Sequence, residues 1–194
     1  ASPSNKLIFN LPATIEVSTP NVYADQVEYF HKNIPNRDSV IISLHPHNDR
    51  GTGTAWAELG MLVGADRWEG CLFGNGERTG NVDLVTTVAN LELKYNRPVL
   101  QGGELEDASR IAHAISEITN ISPYARQPYV GASAFAHKAG LHASAIKVDA
   151  DLYQHTDPKL VGNDMRMLIS DMAGRASIEL KGKELGFDLA GQGE

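Results

Sequence analysis

The stretch "SVIISLHPHNDRGTGTAWAELGMLVGADRWEGCLFGNGERTGNVDLV", residues 39–85, decides the fold. It opens on "SVIISLH", a run of β-branched and apolar residues that reads as a buried strand. "GTGTAWAELGMLVGA" follows with Ala55, Leu59, Leu62 and Val63 at i, i+4, i+7 and i+8, the spacing of a helix face. "RWEGCLFG" reads as the next strand, and "NVDLVTTVANLELKY" as the next helix. Strands that alternate with helices at this spacing run parallel and carry crossover helices. Such sheets place their sites at the C-terminal ends of the strands.

The same pattern extends backwards. "KLIFNLPATIEV" reads as an extended segment, and "STPNVYADQVEYFHKNI" as a helix with Thr19 as N-cap and Pro20 at the first helical position. After Pro98 the pattern changes. "ELEDASRIAHAISEITN" reads as a helix whose apolar side is Leu105, Ile111, Ala112, Ile115 and Ile118, and "NISPYARQP" as a loop. Residues 129–194 read as an accessory subdomain of loops, a short strand and helices, ending in "GKELGFDLAGQGE" as a loose tail. The organisation expected is residues 1–100 as the strand–helix part, whether of a barrel or of an open sheet, 101–128 as a helix and loop leading out, and 129–194 as the subdomain.

Composition narrows the function. The 194 residues are 42% hydrophobic and 21% charged, which suits a packed core. A net charge of −7 argues against a nucleic-acid surface. No apolar run reaches the ~18 residues of a membrane span. One cysteine, Cys71, allows no intrachain disulfide, and the setting expected is reducing and cytoplasmic. Cys71 reads as a core filler within a strand, and Trp56 and Trp68 as packing residues. His31, His113 and His155 read as structural or surface histidines.

In a strand, residues i and i+2 point to one side, so His45 and His47 face together at a strand end. Two imidazoles so placed suit a divalent transition metal; the competing reading is a capping or satisfied core histidine. Asp49 and Gly51 follow in the turn, which favours the metal. "GNGERTGN", residues 74–81, has three glycines in seven residues. They permit positive φ and close backbone approach, and the next helix offers N–H groups to an anion. Asn81 can reach a metal through its amide oxygen or act as an N-cap, and the two roles are compatible. Glu77 and Arg78 form a structural pair or orient ligands.

"LHPHNDRGTGTA" followed by "EGCLFGNGERTGN" resembles the α-isopropylmalate synthase group, which includes homocitrate and citramalate synthases and is related to the HMG-CoA lyases. The resemblance implies an α/β fold: a partial TIM (β/α)8 barrel, its C-terminal half, followed by a small α/β linker subdomain. It implies a metal-dependent Claisen condensation of acetyl-CoA with a 2-keto acid. The metal, zinc, manganese or magnesium, is held by His45 and His47 with Asn81. Thr14 is implied to bind the keto-acid carboxylate. "AFAHKAGLHASAI" resembles the segment whose catalytic histidine reaches a neighbouring subunit, which places that role on His142 and implies a homodimer. "DLY" resembles the segment of the subdomain tyrosine, here Tyr153.

The two halves differ in what they resemble. Through "GNGERTGN" the chain is most like isopropylmalate synthases, which use 3-methyl-2-oxobutanoate. From about "NLELKY" onward it is most like citramalate synthases, which use pyruvate. The early strands that carry an Arg-Asp-Gly segment and a catalytic Glu in this group have no counterpart here. The expectation is a fragment starting near the fifth strand, with exposed strand edges and low stability of its own. Two other classes compete. A metal hydrolase of the amidohydrolase kind needs further ligands on later strands, and "RWEGCLFG" supplies none. A non-catalytic remnant that binds metal or a partner subunit needs none.

Overall fold

A computed structural model describes residues 1–170 and 173–189. It divides into two compact units, residues 1–99 and 100–194. In the first, strands β1 (Leu7–Ala13), β2 (Val40–Pro46) and β3 (Arg67–Trp68) form a parallel sheet in the order β1-β2-β3. Helices α1 (Pro20–Asn33), α2 (Gly53–Leu62) and α3 (Leu84–Leu93) alternate with them. The α/β class with parallel strands and crossover helices is thus present. Among the described residues no helix is long and apolar enough to cross a membrane.

The packing follows from alternation along β2. Val40, Ile42 and Leu44 point to the helix layer, where they pack with Tyr23 and Val27 of α1 and Trp56 and Met61 of α2. Ile42 and Leu44 are wholly buried, each contributing about 1.5–3 kcal/mol. Ser43 and His45 alternate to the other face, so the same strand supplies both core and site.

Helix α2 buries Gly53, Trp56, Ala57, Gly60 and Met61, a face different from the expected Ala55, Leu59, Leu62 and Val63. Close approach to the sheet decides this. A Cβ on Gly60 would lie 2.4 Å from Leu44 Cδ1, so small residues share the contact with Trp56 and Met61, in place of Leu59 and Leu62.

Two extended segments are shorter than expected. After Ala13 the chain turns, and Glu16 takes a left-handed φ of 47°. After Trp68 the chain leaves the sheet and makes a 3-10 turn at Leu72–Gly74, so Cys71 lies just beyond the strand rather than within it. Among the described residues β1 pairs with β2 alone, and Leu7, Ile8 and Phe9 are 51%, 45% and 38% exposed.

The second unit contains α4 (Ala108–Thr119), α5 (Gly140–Val148), α6 (Arg175–Glu184) and a two-stranded parallel sheet of β4 (Ala136–His137) and β5 (Arg166–Met167). Helix α4 buries Ala108, Ser109 and Ala112, while Ile118 is 79% exposed. The Ser109 hydroxyl donates to the Val161 carbonyl at 2.7 Å, and a Cβ on Gly162 would meet the Glu106 carbonyl oxygen at 2.1 Å. Of the expected apolar side Ala112 is packed, while Ile111 and Ile118 are exposed and the small residues Ala108 and Ser109 take the contact. The segment expected as a loose tail begins inside α6, which runs to Glu184; residues 190–194 lie outside the described residues.

Candidate metal centre

Two backbone ladders bring the site together. The His47 N–H donates to the Ala13 carbonyl at 3.2 Å, which ties the end of β2 to the end of β1. The Asn48 N–H donates to Gly80 and the Val82 N–H to Pro46, both at 3.0 Å. These lay the glycine loop along residues 46–48, with His47 and Asn81 opposed in an antiparallel bridge. The loop needs its glycines for contact as well as for φ. Gly80 has φ 96°, and a Cβ there would sit 1.9 Å from the Gly74 carbonyl oxygen. A Cβ on Gly76 would lie 2.0 Å from Asn81 Oδ1.

The result is a convergence of His45, His47 and Asn81. The imidazole centroids are 5.3 Å apart. Asn81 Nδ2 lies 3.4 Å from His45 Nε2, and 3.3 and 3.4 Å from the two ring nitrogens of His47. Half a turn of the carboxamide exchanges Nδ2 for Oδ1 at that point. His47 and Asn81 are buried, each 8% exposed, and His45 is half-buried. Two imidazoles and an amide oxygen on one point form a donor set that fits a divalent ion. Among the described residues no group of three or more His, Cys, Asp and Glu side chains gathers for a metal.

Asn81 does not cap the following helix. Asp83 does, accepting from the Val85 and Thr86 N–H groups at 3.1 and 3.2 Å. The start of α3 therefore holds its own carboxylate instead of offering those N–H groups to a ligand.

Charged neighbours fix the surroundings. Arg78 pairs with Asp49, Nε to Oδ1 at 2.7 Å and Nη2 to Oδ2 at 3.1 Å. Its Nη2 also donates to the Thr14 carbonyl and lies 3.2 Å from His47 Nδ1. Glu77 is only a distant partner at 3.8 Å. The Arg78 hydrogen bond holds the Asp49 carboxyl below the usual carboxylate range. Thr14 thus stands at the rim, in the exposed turn after β1.

Glu69, which the sequence reading passed over, follows β3. Its carboxylate accepts from Asn10 Nδ2 at 2.8 Å, Ser43 Oγ at 3.1 Å and the Arg67 guanidinium, and lies 2.9 Å from His45 Nδ1. The hydrogen bond with His45, then that with Arg67, brings its pKa down to about 2. No local signal points to it: the pairing of Leu44 with Trp68 in the sheet is what brings Glu69, the residue after β3, beside His45.

Glu16 was also missed. It is 1% exposed and accepts from the Arg50 N–H and from the Thr52 hydroxyl at 2.5 Å. It ties the turn after β1 to the turn after the histidines. Replacing Glu16 with Ala takes the acceptor from those partly buried hydrogen bonds and is expected to cost about 1–3 kcal/mol. Denaturant unfolding measures this, and an unchanged midpoint would refute the tie.

In the second unit, His142 of α5 stacks on Tyr153, with ring centroids 4.0 Å apart. His137 stands edge-on to His142 at 6.2 Å. Burial, and secondarily His142, hold the His137 imidazole below its ordinary pKa.

A model of the HMGL-like family matches residues 2–115, and one described as homocitrate synthase post-HMGL domain-like matches residues 129–193. The chain belongs to the HMGL-like family, with the TIM-barrel-type α/β fold that membership implies. Its particular relatives are synthases. It is 53% identical over 184 residues to an (R)-citramalate synthase of Streptomyces coelicolor, covering 95% of this chain and 32% of that one. It is 54% identical over 147 residues to a 2-isopropylmalate synthase of Pseudomonas fluorescens, covering 76% and 26%. A 2-isopropylmalate synthase of Pseudomonas savastanoi pv. phaseolicola is 45% identical over 201 residues, covering 97% and 36%. The chain spans about a third of the length of these curated relatives. Among solved structures, an HMG-CoA lyase from Acenitobacter baumannii in complex with coenzyme A and 3-methylmalate aligns with TM-score 0.49 and 21% identity, covering 60% of this chain and 39% of that one.

Proposed function

We propose that this chain is part of an acyl-transferring synthase that condenses acetyl-CoA with a 2-keto acid, 3-methyl-2-oxobutanoate, to give 2-isopropylmalate. The observation that carries this reading is the meeting of His45, His47 and Asn81 within 3.4 Å in a chain of this family. These three would hold a divalent zinc, manganese or magnesium ion. When bound, the ion supplies Lewis-acid polarisation of the keto-acid carbonyl. Thr14, at the rim, donates to the keto-acid carboxylate. The Arg78–Asp49 pair keeps the Thr14 turn and the glycine loop together over the site.

His142 supplies acid–base chemistry at a ring nitrogen, an atom that can both take up and give back a proton. A base takes a proton from the acetyl methyl; the enolate carbon bonds to the ketone carbon as the C=O π pair moves onto oxygen, which takes up a proton to become the hydroxyl; water then cleaves the thioester to a carboxylate and CoA thiol. Tyr153 orients the His142 ring by stacking. As a homodimer, each copy would lend His142 and Tyr153 to the other's metal centre. His142→Ala is expected to lower turnover about 10²–10⁴-fold; full turnover would remove His142 from this role.

One observation favours a second keto acid. Over nearly the whole chain, identity is 53% to a citramalate synthase and 45% to a 2-isopropylmalate synthase, which supports pyruvate and an (R)-citramalate product. Thiol release from acetyl-CoA by the protein that carries this segment, with both acids side by side, tests the reading. Faster release with 3-methyl-2-oxobutanoate supports the first acid, and faster release with pyruvate the second. Release with neither rejects the condensation with these acids.

A further inference from the structure

Glu69 has four partners, and they differ in kind. Asn10, Ser43 and Arg67 donate to it from β1, β2 and β3, the three strands of the sheet. They hold the carboxylate in place before His45 is considered. The fourth contact, 2.9 Å to His45 Nδ1, then settles which nitrogen of that ring carries hydrogen. A carboxylate in this network accepts, so Nδ1 donates. The lone pair of the neutral ring is left on Nε2, the atom that faces Asn81 at 3.4 Å.

We propose that Glu69 is the positioning residue of the metal centre: it locks His45 in the Nδ1–H tautomer and aims Nε2 at the point shared with His47 and Asn81. The inference rests on reading these three as the ion's holders, and it adds the part that orients one of them. A carboxylate behind a ligating imidazole fixes its tautomer and ring angle and raises its basicity. Asn10 and Ser43 follow as the groups that keep the carboxylate oriented, one from each neighbouring strand.

The test uses Glu69→Gln. It keeps the shape, but the amide can turn either its oxygen or its NH₂ to Nδ1, so it no longer selects a tautomer. Nitrogen-15 NMR of the His45 ring in the metal-free chain, recorded over a pH series, reads directly which ring nitrogen carries hydrogen. Titration with Zn²⁺ and with Mn²⁺ reads affinity. The parent chain is expected to show Nδ1–H, and Glu69→Gln a mixture of tautomers. The variant is expected to bind the ions about 10–100-fold more weakly. Thermal unfolding of both chains separates this from a general loss of structure, which would not mix the tautomers of a folded ring.

An Nε2–H ring in the parent chain would overturn the proposal. So would a variant that keeps the parent's tautomer and affinity. If the parent chain binds neither ion, the metal reading fails separately, and the NMR result still decides whether Glu69 sets the His45 tautomer.

Discussion

Gly80→Ala is expected to destabilise the first unit by about 2–4 kcal/mol, well beyond the effect of an ordinary surface substitution. The new Cβ would lie 1.9 Å from the Gly74 carbonyl oxygen, with backbone on both sides of the clash. The residue would also have to keep a φ of 96°, which side chains rarely adopt. Relief requires the loop to move. Gly80 accepts from the Asn48 N–H and donates to the Glu77 carbonyl, so the movement reaches both the histidine turn and Asn81. Gly51→Ala is the control. Gly51 has a φ of 73° and nothing within 4 Å of its would-be Cβ, so it carries strain without a clash. The expected order of thermal midpoints is parent, Gly51→Ala, then Gly80→Ala, the last lower by about 10 °C or more. Equal midpoints for the two variants would show that the contact with Gly74 is not what confines this loop.

His47→Ala has the second large effect expected, a fall of about 100-fold or more in the affinity of the chain for Zn²⁺ or Mn²⁺. The magnitude follows from the centre's small donor set: two imidazoles and one carboxamide. Loss of a direct donor should exceed the 10–100-fold cost of losing an outer partner. His47 is also buried between Asn81 and Arg78, so the deletion leaves the Arg78 guanidinium facing the site with one acceptor fewer. Calorimetric titration measures the affinity, and His113→Ala, an exposed position on α4, should leave it unchanged. Affinity retained in His47→Ala would place the ion elsewhere or remove it from the account. The two variants separate distinct causes: the glycine tests how the loop is held, and the histidine tests what the loop and strand present.

These expectations rest on different amounts of sequence information. The His-x-His pair was legible because strand alternation is local: residues two apart share a face whatever surrounds them. The parallel strands and crossover helices were legible from periodicity for the same reason. The glycine loop announced itself by composition. The faces of α2 and α4 were not legible. There hydrophobicity pointed to Leu59, Leu62 and Ile118, while packing selected Gly60 and Ala57 on α2 and Ala108 and Ser109 beside the expected Ala112 on α4. The N-cap of α3, open to Asn81 as its competing role, falls on Asp83, because the loop ends two residues later than its motif.

The sequence by itself determined which residue types could form the centre and on which elements they lie. Only the tertiary structure decided that Glu69 stands behind His45, that Glu16 ties residues 50–52 to the end of β1, and that Arg78 pairs with Asp49 more closely than with Glu77. Each of these contacts joins residues at least 24 positions apart, across separate strand ends. Local propensity carries no information about such pairs. They exist because three neighbouring parallel strands bring their following turns together, where charged groups find each other.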